Sequence, residues 1–314
     1  MRVLLIDDER SKYPNLALMK IGAYHKSVGD TVGFHVSDPD IVYGSIIFES
    51  SRHQIDGLKF YYPDAEIRLG GSGHDISSEL PEEVEFMRPD YSLYPDCDYS
   101  LGYTTRGCIR NCGFCIVRQK EGKLRRWQHP KHFHDTRFCK IRLYDNNILA
   151  DPDWFFEVTD WVLERELKVE FNQGLDIRLM DEDVASRLKQ LKRWSNYNFA
   201  WDFINYEDKV MEGIDMLDEV GFDLKSDLGF YVLTNYDTDH YEDYYRMMKL
   251  KDRGTNPFIM MYEGGDTLTR KMARYTNRRS ILRSSDFKDY DRLTREEKIE
   301  VEQLHHRYTR EAKE

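Results

Sequence analysis

The sequence predicts an α/β protein: a small α/β layer, then a larger parallel barrel or part of one, then a helical tail. Three observations carry the prediction. Short apolar runs that end in polar residues alternate with stretches of helical spacing over most of the chain. A proline- and acid-rich piece, Pro81 to Pro95, interrupts the alternation once, and after Gly265 the apolar runs give way to basic and then mixed-charge helical text. A length of 314 residues allows about two domains, so we expect units at 1–95 and 96–265 with an extension at 266–314.

In the first unit, Val3 to Ile6 reads as a buried strand reaching Asp7-Asp8, and Leu16 to Lys26 as a helix stopped at Gly29. Ile41-Val42, Ser45 to Phe48 and Glu66 to Leu69 are strand-like, the last ending at Gly70-Gly71, and Pro81 to Pro95 reads as a linker. In the second unit the candidate strands are Ser100 to Thr104, Lys140 to Tyr144, Lys168 to Phe171, Phe199 to Phe203, Gly229 to Leu233 and Pro257 to Met261. Helices are expected between them, over Pro152 to Glu166, Asp181 to Leu191, Tyr206 to Val220 and Tyr241 to Leu250, with Asp151 and Asp181 as N-caps. The crossover from Cys115 to Cys139 shows no helical pattern and reads as a long basic loop. In parallel barrels the working residues sit where strands end. The extension holds Arg270, Lys271, Arg274, Arg278, Arg279 and Arg283 without an intervening acid, then a helix from Thr294 to Arg310.

No run of about 18 uncharged apolar residues is present, and "MRVLLIDDER" turns acidic too soon for a signal peptide, so a cytoplasmic protein without membrane contact is expected. A net charge of −11 argues against nucleic-acid coating over the whole surface, though it is silent on a local groove. Five cysteines, an odd number with three clustered, do not make an extracellular disulfide framework.

The trio is Cys108, Cys112 and Cys115, in "GCIRNCGFC". Thiolates ligate soft or borderline metals, and this spacing wraps three sulfurs around one small centre. Zinc needs a fourth ligand from Cys97, Cys139, His129, His132 or His134, whereas an iron-sulfur cubane is held by three cysteines with one iron left open. The same text, with the aromatic Phe114 before the third cysteine, resembles the signature of the radical S-adenosylmethionine (radical SAM) superfamily. That resemblance implies a 4Fe-4S cluster on the three cysteines, with SAM on the open iron. It also implies a (β/α)6 partial barrel and reductive cleavage of SAM to methionine and a 5′-deoxyadenosyl radical.

The resemblance covers roughly Pro14 to Gly265. In "LYDNN" it implies that Asp145, Asn146 and Asn147 bind the amino group of SAM, where a polar triplet after an apolar strand offers acceptors; a turn capping the next helix is the alternative reading. In "FNQGLDIRL" it implies that Gln173 and Arg178 meet the ribose and carboxylate, with Asp176 holding Arg178. Asp202, inside "FAWDFI", either lines the cofactor pocket or finds a donor in the core. The lead-in "TTRGC" and "YPNLALMKIGAYHKSVGDTV" with Gly70-Gly71 resemble members with an N-terminal cobalamin-binding-type Rossmann domain, here abbreviated. The DxHxxG text for a lower histidine ligand is missing, and His25, His35, His53 and His74 do not replace it. Cobalamin binding and a scaffold that covers the barrel both stay open.

His129, His132, His134 and Cys139 are candidates for a second metal site, though such histidines are more often solvated. The basic run at 270–283, with Lys123, Arg125, Arg126 and Trp127, keeps a nucleotide or nucleic-acid substrate in play beside a peptide. The sequence therefore points to a radical SAM enzyme supplied with electrons by a flavodoxin or ferredoxin. Methyl or methylthio transfer would follow if corrin or a second sulfur source took part. The competing class is a zinc-stabilised nucleic-acid-binding protein without catalysis.

Overall fold

A computed structural model of the chain describes residues 1–8 and 13–311. Its first layer is a parallel sheet of four strands, β1 (Arg2–Asp7), β2 (Thr31–Gly33), β3 (Ile41–Ser45) and β4 (Glu66–Gly70), in the order β2-β1-β3-β4. Successive side chains of a strand point to opposite faces. Val3 and Leu5 accordingly pack on Leu18 and Ile21 of helix α1 (Leu16–Ser27), while Leu4 and Val42 bury against Ile46, Ile55 and Leu58. Asn15 caps α1, accepting from the Leu18 amide at 3.3 Å.

Two sequence expectations are corrected here. Ser45 to Phe48 is not a strand, because the Asp8 carboxylate takes the Ile47 and Phe48 amides, at 2.9 and 2.8 Å, and turns the chain. Pro81 to Pro95 is folded rather than a bare linker, with a short helix at Glu82–Glu85 and a 3-10 turn at Tyr91–Leu93. It is tied to α1 by the Lys20–Glu85 pair at 2.7 Å and by the Asp90 amide, which donates to the Met19 carbonyl at 3.1 Å.

The remainder alternates strand and helix in the order expected. The strands are β5 (Ser100–Gly102), β6 (Thr105–Arg106), β7 (Arg125–Arg126), β8 (Lys140–Leu143), β9 (Lys168–Phe171), β10 (Lys192–Arg193), β11 (Tyr197–Ala200), β12 (Leu228–Thr234) and β13 (Pro257–Met261). The helices are α2 (Val117–Glu121), α3 (Pro152–Glu164), α4 (Glu182–Gln190), α5 (Glu207–Glu219), α6 (His240–Asp252), α7 (Thr267–Thr276), α8 (Arg279–Ser284) and α9 (Arg295–Glu311). Two parallel sheets result, β5-β8-β9-β10 and β11-β12-β13, and β6 and β7 form a small antiparallel pair. The Leu175 amide donates to the Asn198 carbonyl at 2.8 Å, joining the exit of β9 to β11.

The crossover after Cys115 does hold a helix, the five-residue α2. The expected strand at Phe199 to Phe203 ends at Ala200, so Asp202 lies beyond the strand. One continuous apolar cluster runs from Phe133 to Tyr308 and includes Leu268, Met272 and Tyr275 of α7 with Val301 and Tyr308 of α9, so the helical tail shares the core of the two sheets. Among the described residues no helix is long and apolar enough to cross a membrane.

Candidate functional site

The cysteine loop is pinned at each end by a buried carboxylate. Asp145, at the exit of β8, accepts from the Thr104 amide at 3.2 Å, from both threonine hydroxyls at 2.6 Å, and from the Thr105 amide. Glu121, on α2, accepts from the Gly107 amide and from Asn146 Nδ2, each at 2.9 Å, and pairs with Arg106 at 3.1 Å. Gly107 has φ of 79°, and a Cβ there would sit 2.7 Å from the Gly122 carbonyl oxygen, so the close approach of loop to crossover requires glycine. Within the loop the Arg110 amide donates to Cys108 Sγ at 3.3 Å, and Arg118 donates to the Cys108 carbonyl at 3.0 Å.

These contacts aim the three cysteines into a pocket of about 200 Å³. Phe114, Asn146, Asn147, Gln173, Arg178 and Asp202 line the same pocket, so most of the residues singled out in the sequence meet in one place. The exception is Asp145. Its carboxylate is spent on the Thr104–Thr105 turn and burial raises its pKa, so it positions the loop instead of facing a ligand.

Asp176 is the electrostatic centre of the pocket. It accepts from Arg178 Nε at 2.6 Å, Arg110 Nε at 3.0 Å and Asn147 Nδ2 at 3.2 Å. Burial pushes its carboxyl up, but the bonds and charges of Arg178 and Arg110 outweigh this and hold it below the ordinary value. The expectation that Asp176 steadies Arg178 matches this geometry. Asn147 Nδ2 also lies 3.6 Å from Cys108 Sγ, while its Oδ1 is buried without a partner among the described residues. Burial raises the Cys112 thiol, with Arg178 opposing. It also raises Asp202, against the pull of Arg246 and Arg178.

Local sequence reasoning missed several supports. Glu121 is one; its signal was being the single acid between Arg106 and Arg126. Arg110 is another, hidden inside the CxxxC text. The third is Arg246, fully buried in α6, which donates to the carbonyls of Trp201 at 2.8 Å, Asp202 at 2.5 Å and Leu233 at 2.9 Å and pairs with Asp243 at 2.5 Å. It thereby holds the exits of β11 and β12. At the pocket rim, Phe114 packs on Tyr236 and Phe203 with centroids 5.3 and 6.2 Å apart, and Tyr236 stands 4.8 Å from Tyr262. A Cβ on Gly113 would meet the Tyr236 hydroxyl, so a side chain there requires that ring to move.

The histidine-rich stretch of the crossover has other partners. His129 accepts from the Lys131 amide at 3.1 Å, His134 bonds the Ser100 hydroxyl at 3.0 Å, and Cys139 stays exposed. Among the described residues no group of three or more His, Cys, Asp and Glu side chains is placed to hold a single metal ion, the trio included. Gly71, part of the text that resembles a cobalamin-binding-type domain, has φ of 93° and lies against the chain's own loop, where a Cβ would sit 2.8 Å from the Ile46 nitrogen.

No protein-family model matches the sequence, and no curated protein matches it. Among solved structures the chain is similar to the radical SAM methyltransferase TsrM from Kitasatospora setae, a structure with tryptophan substrate and the SAM analog aza-SAM bound. The TM-score is 0.60 at 10% identity, over 82% of this chain and 72% of that one. At this identity the likeness is one of fold: the α/β architecture described above is shared with a radical SAM enzyme.

Proposed function

We propose that the protein is a radical SAM enzyme whose two parallel sheets act as one partial barrel of the (β/α)6 type, behind an N-terminal Rossmann-like layer. The observation that carries this reading is the single pocket in which three cysteines meet polar residues from the exits of β8, β9 and β11. The donor set, three thiolates from one loop facing one pocket, fits a cluster with one iron left open, whereas a closed tetrahedral ion needs a fourth ligand. The zinc alternative is not favoured, since its ligand set does not assemble.

Cys108, Cys112 and Cys115 are the cluster ligands in this reading. A 4Fe-4S cluster, when bound, supplies the electron that cleaves SAM to methionine and a 5′-deoxyadenosyl radical. The chain's own residues bind and orient. Asn147 Oδ1 is a buried acceptor with an open lone pair, suited to the ammonium group of SAM, and Asn146 stands beside it. Two guanidiniums, Arg110 and Arg178, share the one carboxylate of Asp176, which leaves a surplus positive charge for the carboxylate of SAM. Gln173 and Asp202 offer polar atoms for the ribose, and Phe114 closes the apolar side. In this reading a small redox protein of the flavodoxin or ferredoxin type supplies the electron in the cytoplasm, where thiols are kept reduced.

Anaerobic reconstitution tests this. The expected protein is brown, with about four iron and four sulfide per chain, and makes 5′-deoxyadenosine with dithionite. Replacing Cys108, Cys112 and Cys115 by Ala should abolish both properties. Stoichiometric zinc with no SAM cleavage would overturn the reading.

A further inference from the structure

A second cleft, of about 570 Å³, lies where the N-terminal layer meets the crossover, and none of the residues that line it line the cysteine pocket. One wall is Phe86 and Arg88, just after the short helix at Glu82–Glu85, and the other is Trp127, Gln128, His129 and His132. Both walls are fixed. Glu85 pairs with Lys20 of α1 at 2.7 Å and accepts from Trp127 Nε1 at 3.1 Å, which ties the first wall to its own layer and to the second wall. The Trp127 amide donates to the Thr104 carbonyl at 2.8 Å, and after it Pro130 opens a 3-10 turn, Pro130–His132, capped by His129.

The side chains in this cleft are short of partners. Gln128 is 8% exposed, yet its amide makes no hydrogen bond among the described residues. A buried amide left unpaired costs stability, so one that lines a cleft marks a place for a ligand with a polar edge. His129 Nδ1 accepts from the Lys131 amide at 3.1 Å, and burial, with the charge of Lys131, lowers its pKa against the pull of Glu157. The neutral ring therefore carries its proton on Nε2, a donor without a hydrogen-bond partner among the described residues. Arg88 reaches the carbonyls of Lys131 and His132 at 3.4 and 3.5 Å, which leaves most of its N–H groups open. Phe86 is 43% exposed and is backed by the Trp127 ring, with centroids 5.2 Å apart and planes 32° from parallel, while Arg125 stands over Trp127 at 4.8 Å.

Charge narrows the ligand. The lining holds Arg88 and no carboxylate, and Lys131 beside it is exposed without an ion pair. Of the carboxylates around the cleft, Glu85 is taken by Lys20 and Asp135 by Arg137 at 2.7 Å, while Glu82, Glu83 and Glu157 lie exposed on the flanking helices. A purely apolar ligand would leave Gln128 unpaired, and phosphate alone would not use the ring. A nucleobase with its phosphate uses all three features. Bases stack on aromatic side chains, a glutamine amide matches a base edge with both its donor and its acceptor, and a guanidinium fork takes phosphate.

We infer that this cleft is a nucleotide site separate from the cysteine pocket, in which the base lies on Phe86 with its edge at Gln128 and His129 and its phosphate meets Arg88 and Lys131. The inference goes beyond the radical SAM reading and does not depend on it.

Calorimetric titration of the full-length protein with AMP, adenosine and ribose 5-phosphate tests the site. AMP should bind about fivefold or more tighter than either fragment. Phe86→Ser should weaken AMP about fivefold or more, and Arg88→Ala with Lys131→Ala should reduce its affinity to that of adenosine. Gln128→Leu should weaken AMP about threefold without lowering the thermal midpoint, the behaviour of an amide that serves a ligand and not the fold. Gln173→Ala, in the cysteine pocket, should leave AMP binding unchanged. A single-stranded adenylate of eight nucleotides distinguishes the sources of the ligand: a strand gives affinity about tenfold above that of AMP with a steep salt dependence, a free nucleotide gives equal affinity, and in both cases the cleft variants weaken it. No binding of AMP or of the strand, ribose 5-phosphate as tight as AMP, or AMP affinity unaltered by Phe86→Ser and Gln128→Leu would overturn the inference. Formation of 5′-deoxyadenosine by the reconstituted parent protein judges the radical SAM reading separately.

Discussion

Asp176 shows how one residue sets the balance of charge in the pocket. Its folded pKa is lowered, so its contribution to stability is present above the ordinary aspartate value of about 3.9 and is lost as pH falls through the lowered one. Asp176→Asn should cost about 2 kcal/mol at neutral pH, because two half-buried guanidiniums lose their carboxylate. It should also flatten the fall in stability below about pH 4. Denaturant unfolding at pH 7 and pH 3 checks both; an unchanged acid slope would contradict the assignment. Asp145 marks the limit of local reading. In "DNN" the aspartate and the asparagines are equivalent by spacing, and what distinguishes them is the Thr104–Thr105 turn, contributed from far upstream. The three cysteines of one short loop needed no such context to be grouped, and they line one pocket.

At the scale of elements, long apolar runs were legible and their ends were not. β9 and β13 fall where the sequence places them, because strand and apolar run coincide. "FAWDFI" overstates its strand, since Trp201 and Phe203 are apolar for other reasons: Trp201 is buried in the core and Phe203 joins the aromatic rim. β2 was missed because it is a three-residue strand without a buried side chain. The segment 81–95 was misjudged because its order comes from salt bridges and hydrogen bonds to α1, which leave no periodicity. Gly71 offers a test of how the first layer holds its loops. Gly71→Ala imposes a Cβ at φ of 93° against backbone atoms of Ile46. The loss should exceed about 1 kcal/mol and lower the thermal midpoint by several degrees, whereas Gly29→Ala, with open space around it, should cost less.

The whole molecule behaves as one core with a layer leaning on its crossover. Trp127 Nε1 donates to Glu85 at 3.1 Å and Lys120 to Ser72 at 2.6 Å, so the N-terminal layer rests on the segment that carries the cysteines. At the other end, His240 joins Asp266 and Glu300, each at 2.7 Å, tying α6 to the loop before α7 and to α9. Burial lowers the His240 pKa but its two carboxylates outweigh this and raise it, so this tie is complete in acid and is lost as pH rises through the raised value. Deleting 294–314 would uncover Tyr244 and Tyr245, against which Tyr308 packs. We expect that protein to be insoluble or to melt far below the intact chain, in a single transition that includes the strands; a stable truncated protein with unchanged melting would show that the tail is a separate unit.

The tyrosine hydroxyl resting on Gly113 has a kinetic corollary. On the radical SAM reading, metal loading that reshapes the thiol loop would press on Tyr236 and on Tyr262, the ring packed against it. On that reading, maturation would be coupled to the neighbouring surface, so that unloaded chains present a different doorway from loaded ones. Hydrogen exchange over 235–239 should slow on iron insertion in the parent protein, and Gly113→Ala should erase that difference.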